Sequence, residues 1–214
     1  MLERISRREE FDLFIAWIAI SLAFAIIFLR DVGRADPVIA LTFLALSLFT
    51  VGIGFILHEM AHKFTAIKYG FWAEFRKDNI MLVVAVALAA LVGVVFAAPG
   101  ATIIYDTTGR GISREQNGKI SAAGPVVNLL LCIPFAGLLI YSGSGQSLNE
   151  NLIMMGMIGL QVNAMIAAFN MLPVSVLDGK KVFAWNKGVF LVLIIAAFGA
   201  LLASFSPDIF SNIL

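Results

Sequence analysis

The chain has 214 residues, 60% of them hydrophobic and 14% charged, with a formal net charge of +1 and a mean hydropathy of +0.95. Soluble domains carry about 25% charged residues, so this composition excludes a water-soluble fold and makes the chain an integral membrane protein surrounded by the lipid bilayer. The balanced charge, with no polybasic block and no array of aromatic and basic residues, excludes nucleic acid as a partner.

Residues 1–12 are charged and precede about 18 apolar residues, too long a run for the core of a signal peptide, and no small-x-small cleavage site follows. A retained signal anchor is expected there. Apolar runs of about 20 residues, the length that crosses a bilayer, lie near 11–29, 38–64, 80–98, 120–141, 151–172 and 188–205. Polar or Gly-containing breaks at 30–37, 68–79, 105–119 and 141–151 separate them. The expected fold is an all-α polytopic membrane protein of five to six hydrophobic helices, a single membrane-embedded domain over 1–214. The length leaves no room for a sizeable soluble module.

The only two histidines, His58 and His62, stand four residues apart in the second run with Glu59 between them. On a helix, positions i and i+4 share a face with Cβ atoms roughly 6 Å apart, so two imidazoles can hold one ion while the intervening carboxylate lies beside the metal's water. This H-E-x-x-H pattern points to zinc-activated hydrolysis with Glu59 as general base. An ionisable cluster inside a membrane span also marks a functional site by default.

A catalytic zinc takes three protein ligands, and with no third histidine and no second cysteine a carboxylate must serve. Asp178 stands out, in Asn170-Met-Leu-Pro-Val-Ser-Val-Leu-Asp-Gly179, where Pro173 should interrupt a helix and Gly179 allows close backbone approach. Its bland alternative is a loop or turn residue. Glu74, Asp78 and Asp106 sit in polar loops and read as ordinary solvated carboxylates.

His58 and Asp178 both lie near the C-terminal ends of their runs, so they share a membrane depth only if those runs point the same way. Six simple crossings forbid that, and they also divide the 15 Lys and Arg residues almost evenly between the two sides. If the chain between 80 and 119 instead returns to the side it left, only Arg30 and Arg34 lie outside, and the positive-inside rule holds. The expectation is therefore five net crossings. Pro99-Gly-Ala-Thr-Ile-Ile-Tyr105, a turn followed by a β-branched run, is the segment expected to turn back as a short re-entrant or β-like element near the site. Non-helical backbone is tolerated at membrane depth where protein or a water cavity surrounds it, and an extended segment offers an edge for a substrate strand.

Taken together, these residues resemble the site-2 protease family of intramembrane zinc metalloproteases. His58-Glu-Met-Ala-His62 is similar to the family's H-E-x-x-H, Asn170-x-x-Pro173-x-x-x-Leu177-Asp178-Gly179 to its second motif, and Ala123-Gly124-Pro125-Val-Val-Asn128 to a Gly-Pro-x-x-Asn at the start of the intervening helix. The likeness covers about 38–182. The resemblance implies Zn²⁺ held by His58, His62 and Asp178, with Glu59 as catalytic base. It further implies Asn128 and Asn170 as groups that hydrogen-bond the unwound substrate backbone or the oxyanion, the alternative for both being interhelical hydrogen bonds that only stabilise packing. The implied activity is cleavage of a transmembrane segment of another protein near the cytoplasmic face of the cell membrane. No PDZ-like or CBS-like domain is present in the sequence, and the 80–98 insert is longer than the connection in many members.

Two other function classes compete: a zinc transporter and a non-catalytic membrane scaffold. A transport path should carry polar sites through the membrane's depth, whereas both histidines sit at one level, and an intact Glu59 argues against a scaffold. Other notable residues read as structural. Met154, Met155 and Met157 are packing material, Gly156 and Gly159 close helix contacts, Trp17, Trp72 and Trp185 packing or interface anchors, and Asn117-Gly118 a turn. The lone Cys132 cannot form an intramolecular disulfide and reads as a small packing residue.

Overall fold

The computed structural model describes residues 5–32, 36–95, 100–106, 109, 111–143, 150–174 and 176–206. Pro99 of the expected turn, the run's tail at 96–98, loop residues 144–149, Ser175, Arg4, Arg34 and Arg110 lie outside them. The chain divides into two compact units, Met1–Gly111 and Ile112–Leu214. Five helical segments are long and apolar enough to cross a bilayer: Arg7–Arg30, Pro37–Lys68, Arg114–Ser142, Glu150–Asn170 and Lys187–Ser204. The protein is a multi-pass, predominantly helical membrane protein.

The first unit contains α1 (Arg7–Val32), α2 (Pro37–Lys68), β1 (Trp72–Lys77), α3 (Asn79–Val92) and β2 (Gly100–Tyr105). Helix α2 starts on Asp36, whose carboxylate accepts from the Val38 and Ile39 amides, with Pro37 in the first turn where its missing N–H is no loss. Its buried stripe runs Phe43, Ser47, Val51, Phe55, His58 and His62, steps of three and four that keep one face inward. The helix stops where Gly70 takes φ +88°. There the Phe71 amide donates to the Ala66 carbonyl and the Gly70 amide to Ile67, and this left-handed turn feeds β1 directly.

Strands β1 and β2 pair antiparallel, from Trp72 opposite Tyr105 to Lys77 opposite Gly100. The β-branched run at 100–105 is thus extended, as expected. Its partner β1 was not foreseen, because Trp-Ala-Glu-Phe-Arg-Lys reads as a charged connection. The alternation is nonetheless there: Ala73 and Phe75 are fully buried while Trp72 is exposed. Helix α3 fills much of the 80–98 run, but its 14 residues span about 21 Å, short of the roughly 30 Å hydrocarbon core. Because Lys77 and Gly100 face each other, the chain that leaves β1 has come back by the start of β2. That return accounts for five long helices where the sequence has six apolar runs.

The second unit contains α4 (Arg114–Gly143), α5 (Glu150–Asn170), α6 (Asp178–Trp185) and α7 (Lys187–Ser204). A reciprocal capping box opens α4: the Ser113 hydroxyl accepts from the Gln116 amide, and the Gln116 side-chain oxygen accepts from the Ser113 amide. Asn117 and Gly118 consequently lie inside α4 and not in a turn, and a Cβ at Gly118 would strike the Trp185 ring. The Gly124-Pro125 pair likewise falls well within α4 instead of at its start. Phe135 and Leu139 of α4 pack on Gly156 and Gly159 of α5, confirming these glycines as close helix contacts. Cys132, Met155 and Met157 belong to the same apolar cluster. Asn186 caps α7 by accepting from the Gly188 and Val189 amides.

Candidate metal centre

His58, Glu59 and His62 lie on the buried stripe of α2, each less than a tenth exposed. The two imidazole Nε2 atoms stand 3.0 Å apart, with ring planes at 83° and centroids at 4.7 Å. Two nitrogens held about 2.0–2.1 Å from one tetrahedral ion would be about 3.3 Å apart, so the pair is already gathered to nearly the spacing a shared metal imposes. An imidazole pair presenting both Nε2 atoms to one point fits zinc, whose catalytic sites are commonly built on two or three histidines. His58 lies ten residues before Lys68, the last residue of α2, which places it about 15 Å from that helix end.

The carboxylate of Glu59 is held from the ribbon. Thr102 of β2 donates its hydroxyl to Glu59 Oε2 at 2.8 Å and also lies 3.4 Å from the Glu59 carbonyl oxygen. The sequence marked the extended segment but not this residue; its signal was a hydroxyl in an otherwise apolar β-branched run.

A second unforeseen feature fixes the ribbon itself. Lys63, directly after His62, forms an ion pair with Glu9 of α1, and both side chains are fully buried. The other Glu9 oxygen accepts the Phe75 amide of β1 at 3.0 Å, and Phe75 stacks edge-on against Phe55 of α2 at 5.5 Å. Since the Phe75 N–H points away from β2, Phe75 and Thr102 form a non-hydrogen-bonded pair. The peptide groups of Thr102 therefore face the outer edge of β2. Among the described residues the sheet has two strands, so that edge has no strand partner, whereas the outer edge of β1 is engaged by Glu9 at Phe75.

The other carboxylates considered as ligands have local duties in the first unit. Glu74 pairs with Arg76, which also reaches Asp12 at 3.6 Å. Asp78 caps α3 by accepting from the Ile80 and Met81 amides, and Asp106 accepts from the Gly109 and Gly111 amides.

In the second unit Asp178 is buried and is the first residue of α6, a helix rather than the loop or turn considered for it. Lys181 is 3.9 Å away across one turn. The close backbone approach expected at Gly179 is present: a Cβ there would collide with the Met171 carbonyl. Asn128 is fully buried and donates to Asn163 of α5 at 3.0 Å, while Asn163 donates on to the Gly159 carbonyl at 2.8 Å. Asn163 is a polar residue in an apolar span, and that signal was available in the sequence. Asn170, half-buried, donates to the Ile166 carbonyl of its own helix at 3.0 Å.

The chain is 35% identical over 199 residues to a protein of Methanocaldococcus jannaschii named "Putative zinc metalloprotease", covering 93% of this chain and 95% of that one. No family model matches the chain, and no solved structure matches it. With this relationship over nearly the whole of both chains, and a buried imidazole pair that fits its metal, the chain belongs to the zinc metalloproteases, with zinc as its cofactor.

Proposed function

We propose that this metalloprotease is an intramembrane endopeptidase of the site-2 type, cutting a peptide bond in a transmembrane segment of another membrane protein near the cytoplasmic face. The observation that carries this is the placement of His58, Glu59 and His62 on the buried face of a 32-residue apolar helix, since a protease acting on soluble substrates has no need of its site there. The two units together act as one catalytic domain over 1–214, and Asp178 supplies the third ligand. Its support is chemical: a buried carboxylate in the Leu177-Asp178-Gly179 motif, while Glu74, Asp78 and Asp106 are engaged elsewhere. The cytoplasmic orientation and the cell-membrane location rest on the distribution of Lys and Arg.

When bound, Zn²⁺ supplies Lewis acidity, which acidifies water and polarises the scissile carbonyl. Glu59 takes the proton from the attacking water on its side of the α2 stripe and returns it to the leaving amine. A substrate helix has its peptide bonds shielded by internal hydrogen bonds, so it must unwind locally before attack. The open edge of β2 accepts the extended stretch, and Asn128 and Asn170 hydrogen-bond its freed backbone or the developing oxyanion.

The test is cleavage of a defined transmembrane substrate in liposomes, with zinc content measured on each preparation. Wild type should cleave and Glu59→Gln should hold zinc yet lose at least about a hundredfold in rate. Asp178→Asn should lose both zinc and activity. Full turnover by Glu59→Gln would sink the base, and full zinc occupancy in Asp178→Asn would sink the third ligand.

A further inference from the structure

The hydrogen bond between Thr102 and Glu59 joins two elements that sequence places 43 residues apart. We infer that Thr102 is a positioning residue for proteolysis: its hydroxyl fixes the Glu59 carboxylate through Oε2, so that Oε1 is the oxygen left to receive the proton of the attacking water. This rests on the proposed assignment of Glu59 as base.

Glu59 has conformational freedom to lose. A glutamate has three side-chain torsions, and one that must meet a water within hydrogen-bond reach gains from being held in a single rotamer. Helix α2 fixes only its Cα and Cβ. Among the described residues the donor at 2.8 Å is the restraint that reaches the carboxylate itself, and an oxygen accepting that bond is turned towards the ribbon.

Thr102 is in turn held firmly. It lies opposite Phe75, which is fully buried, packed on Phe55 of α2 and bound through its amide to Glu9, and Glu9 is locked to Lys63 one residue beyond His62. The ribbon is thereby tied to the helix that carries the imidazoles at two places, one on each strand. Threonine suits the task because its β-branch favours the strand while its hydroxyl supplies the donor. The register adds a consequence: the side chain of Thr102 holds the base while its peptide groups face the open edge of the sheet, so one residue sets the base relative to whatever strand lies along β2.

The experiment measures kcat and KM in liposomes for wild type, Thr102→Val, Thr102→Ala and Thr102→Ser, with Glu59→Gln as the blank and zinc content recorded for each. Thr102→Val keeps the shape and removes the donor. It should lose about tenfold or more in kcat with KM within about twofold and zinc undiminished, and Thr102→Ser should recover most of that loss. Wild-type kcat in Thr102→Val overturns the assignment. So does a Thr102→Ser as poor as Thr102→Ala, or a loss confined to KM, since either outcome describes a strand residue that only shapes the ribbon. Should Thr102→Val fail to fold, recovery in Thr102→Ser against loss in Thr102→Ala decides the matter. If wild type and Glu59→Gln behave alike, the base assignment itself has failed and takes this inference with it, a result separable from all the others.

Discussion

The interiors of the two units are built on different principles. The first buries Glu9, Asp12, His58, Glu59, His62 and Lys63, whereas Asp178 is the one ionisable side chain, cysteine aside, buried among the described residues of the second. In place of charges, the second unit packs glycines of α5 and alanines of α5 and α7 against Phe135, Leu139 and Met171. Burying charge is expensive and needs partners in place, while apolar helices in lipid gain from close van der Waals contact between small residues. The charged interior therefore belongs to the unit that carries the imidazole pair and Glu59, the carboxylate proposed as base. The mostly apolar interior belongs to the unit in which Asp178, Asn128 and Asn163 are the buried charge and amides, and the rest of the helix packing is a matter of fit.

The largest effect that should separate the two is the loss of one charge from the buried pair. Lys63→Met leaves the Glu9 carboxylate without its cation, and removing one partner of a buried ion pair typically costs about 3–5 kcal/mol. Unfolding of the first unit followed by denaturant titration in mixed micelles should show that loss. The double variant Glu9→Gln with Lys63→Met should recover much of it, because two neutral side chains carry no uncompensated charge. An equal loss in the single and double variants would mean that the pair contributes through packing volume, and the contrast between the interiors would lose its physical basis.

A mid-sized effect tests the other side of the contrast. Gly159→Ala puts a Cβ into the Phe135 ring, and overpacking of this kind costs about 1–3 kcal/mol. Phe135→Leu in the same chain should return part of the loss by opening space on α4. Thermal unfolding that is indifferent to Gly159→Ala would show α4 and α5 sliding apart at no cost, contrary to an interior held by fit.

Legibility in the sequence follows the same division. Long apolar runs announce helices because only a hydrophobic segment of about 20 residues can cross lipid, and α1, α2, α4, α5 and α7 all fall on such runs. The imidazole pair was readable because i, i+4 geometry is local to one helix. Elements that depend on partners far along the chain were not. Strand β1 carries Glu74, Arg76 and Lys77, whose charges hide an alternation that matters only once Phe75 has α1 and α2 to lie against. Helix α6 is eight residues long, too short for periodicity to separate it from the turn suggested by Pro173 and Gly179. Asn117-Gly118 carries a strong turn signal that the capping box at Ser113 and the Trp185 ring override. The Glu9–Lys63 and Thr102–Glu59 pairings bridge 54 and 43 residues, distances over which a single sequence offers no pairing rule.

The smallest expected effect bears on a buried side-chain contact between α4 and α5. Asn128 and Asn163 are both fully buried and hydrogen-bonded to each other, and an interhelical bond of this kind in a membrane protein contributes about 0.6 kcal/mol on average. Asn128→Leu and Asn163→Leu should therefore lower stability by similar small amounts, since each removes the same bond, with Asn163→Leu also releasing the Gly159 carbonyl within its own helix. Cleavage rates divide the two residues in a way stability does not. If Asn128 also binds the unwound substrate, Asn128→Leu should reduce kcat/KM well beyond the change seen in Asn163→Leu. If the two variants cleave equally well, Asn128 is a packing residue, and the polar functions proposed for the second unit narrow to Asp178 and Asn170.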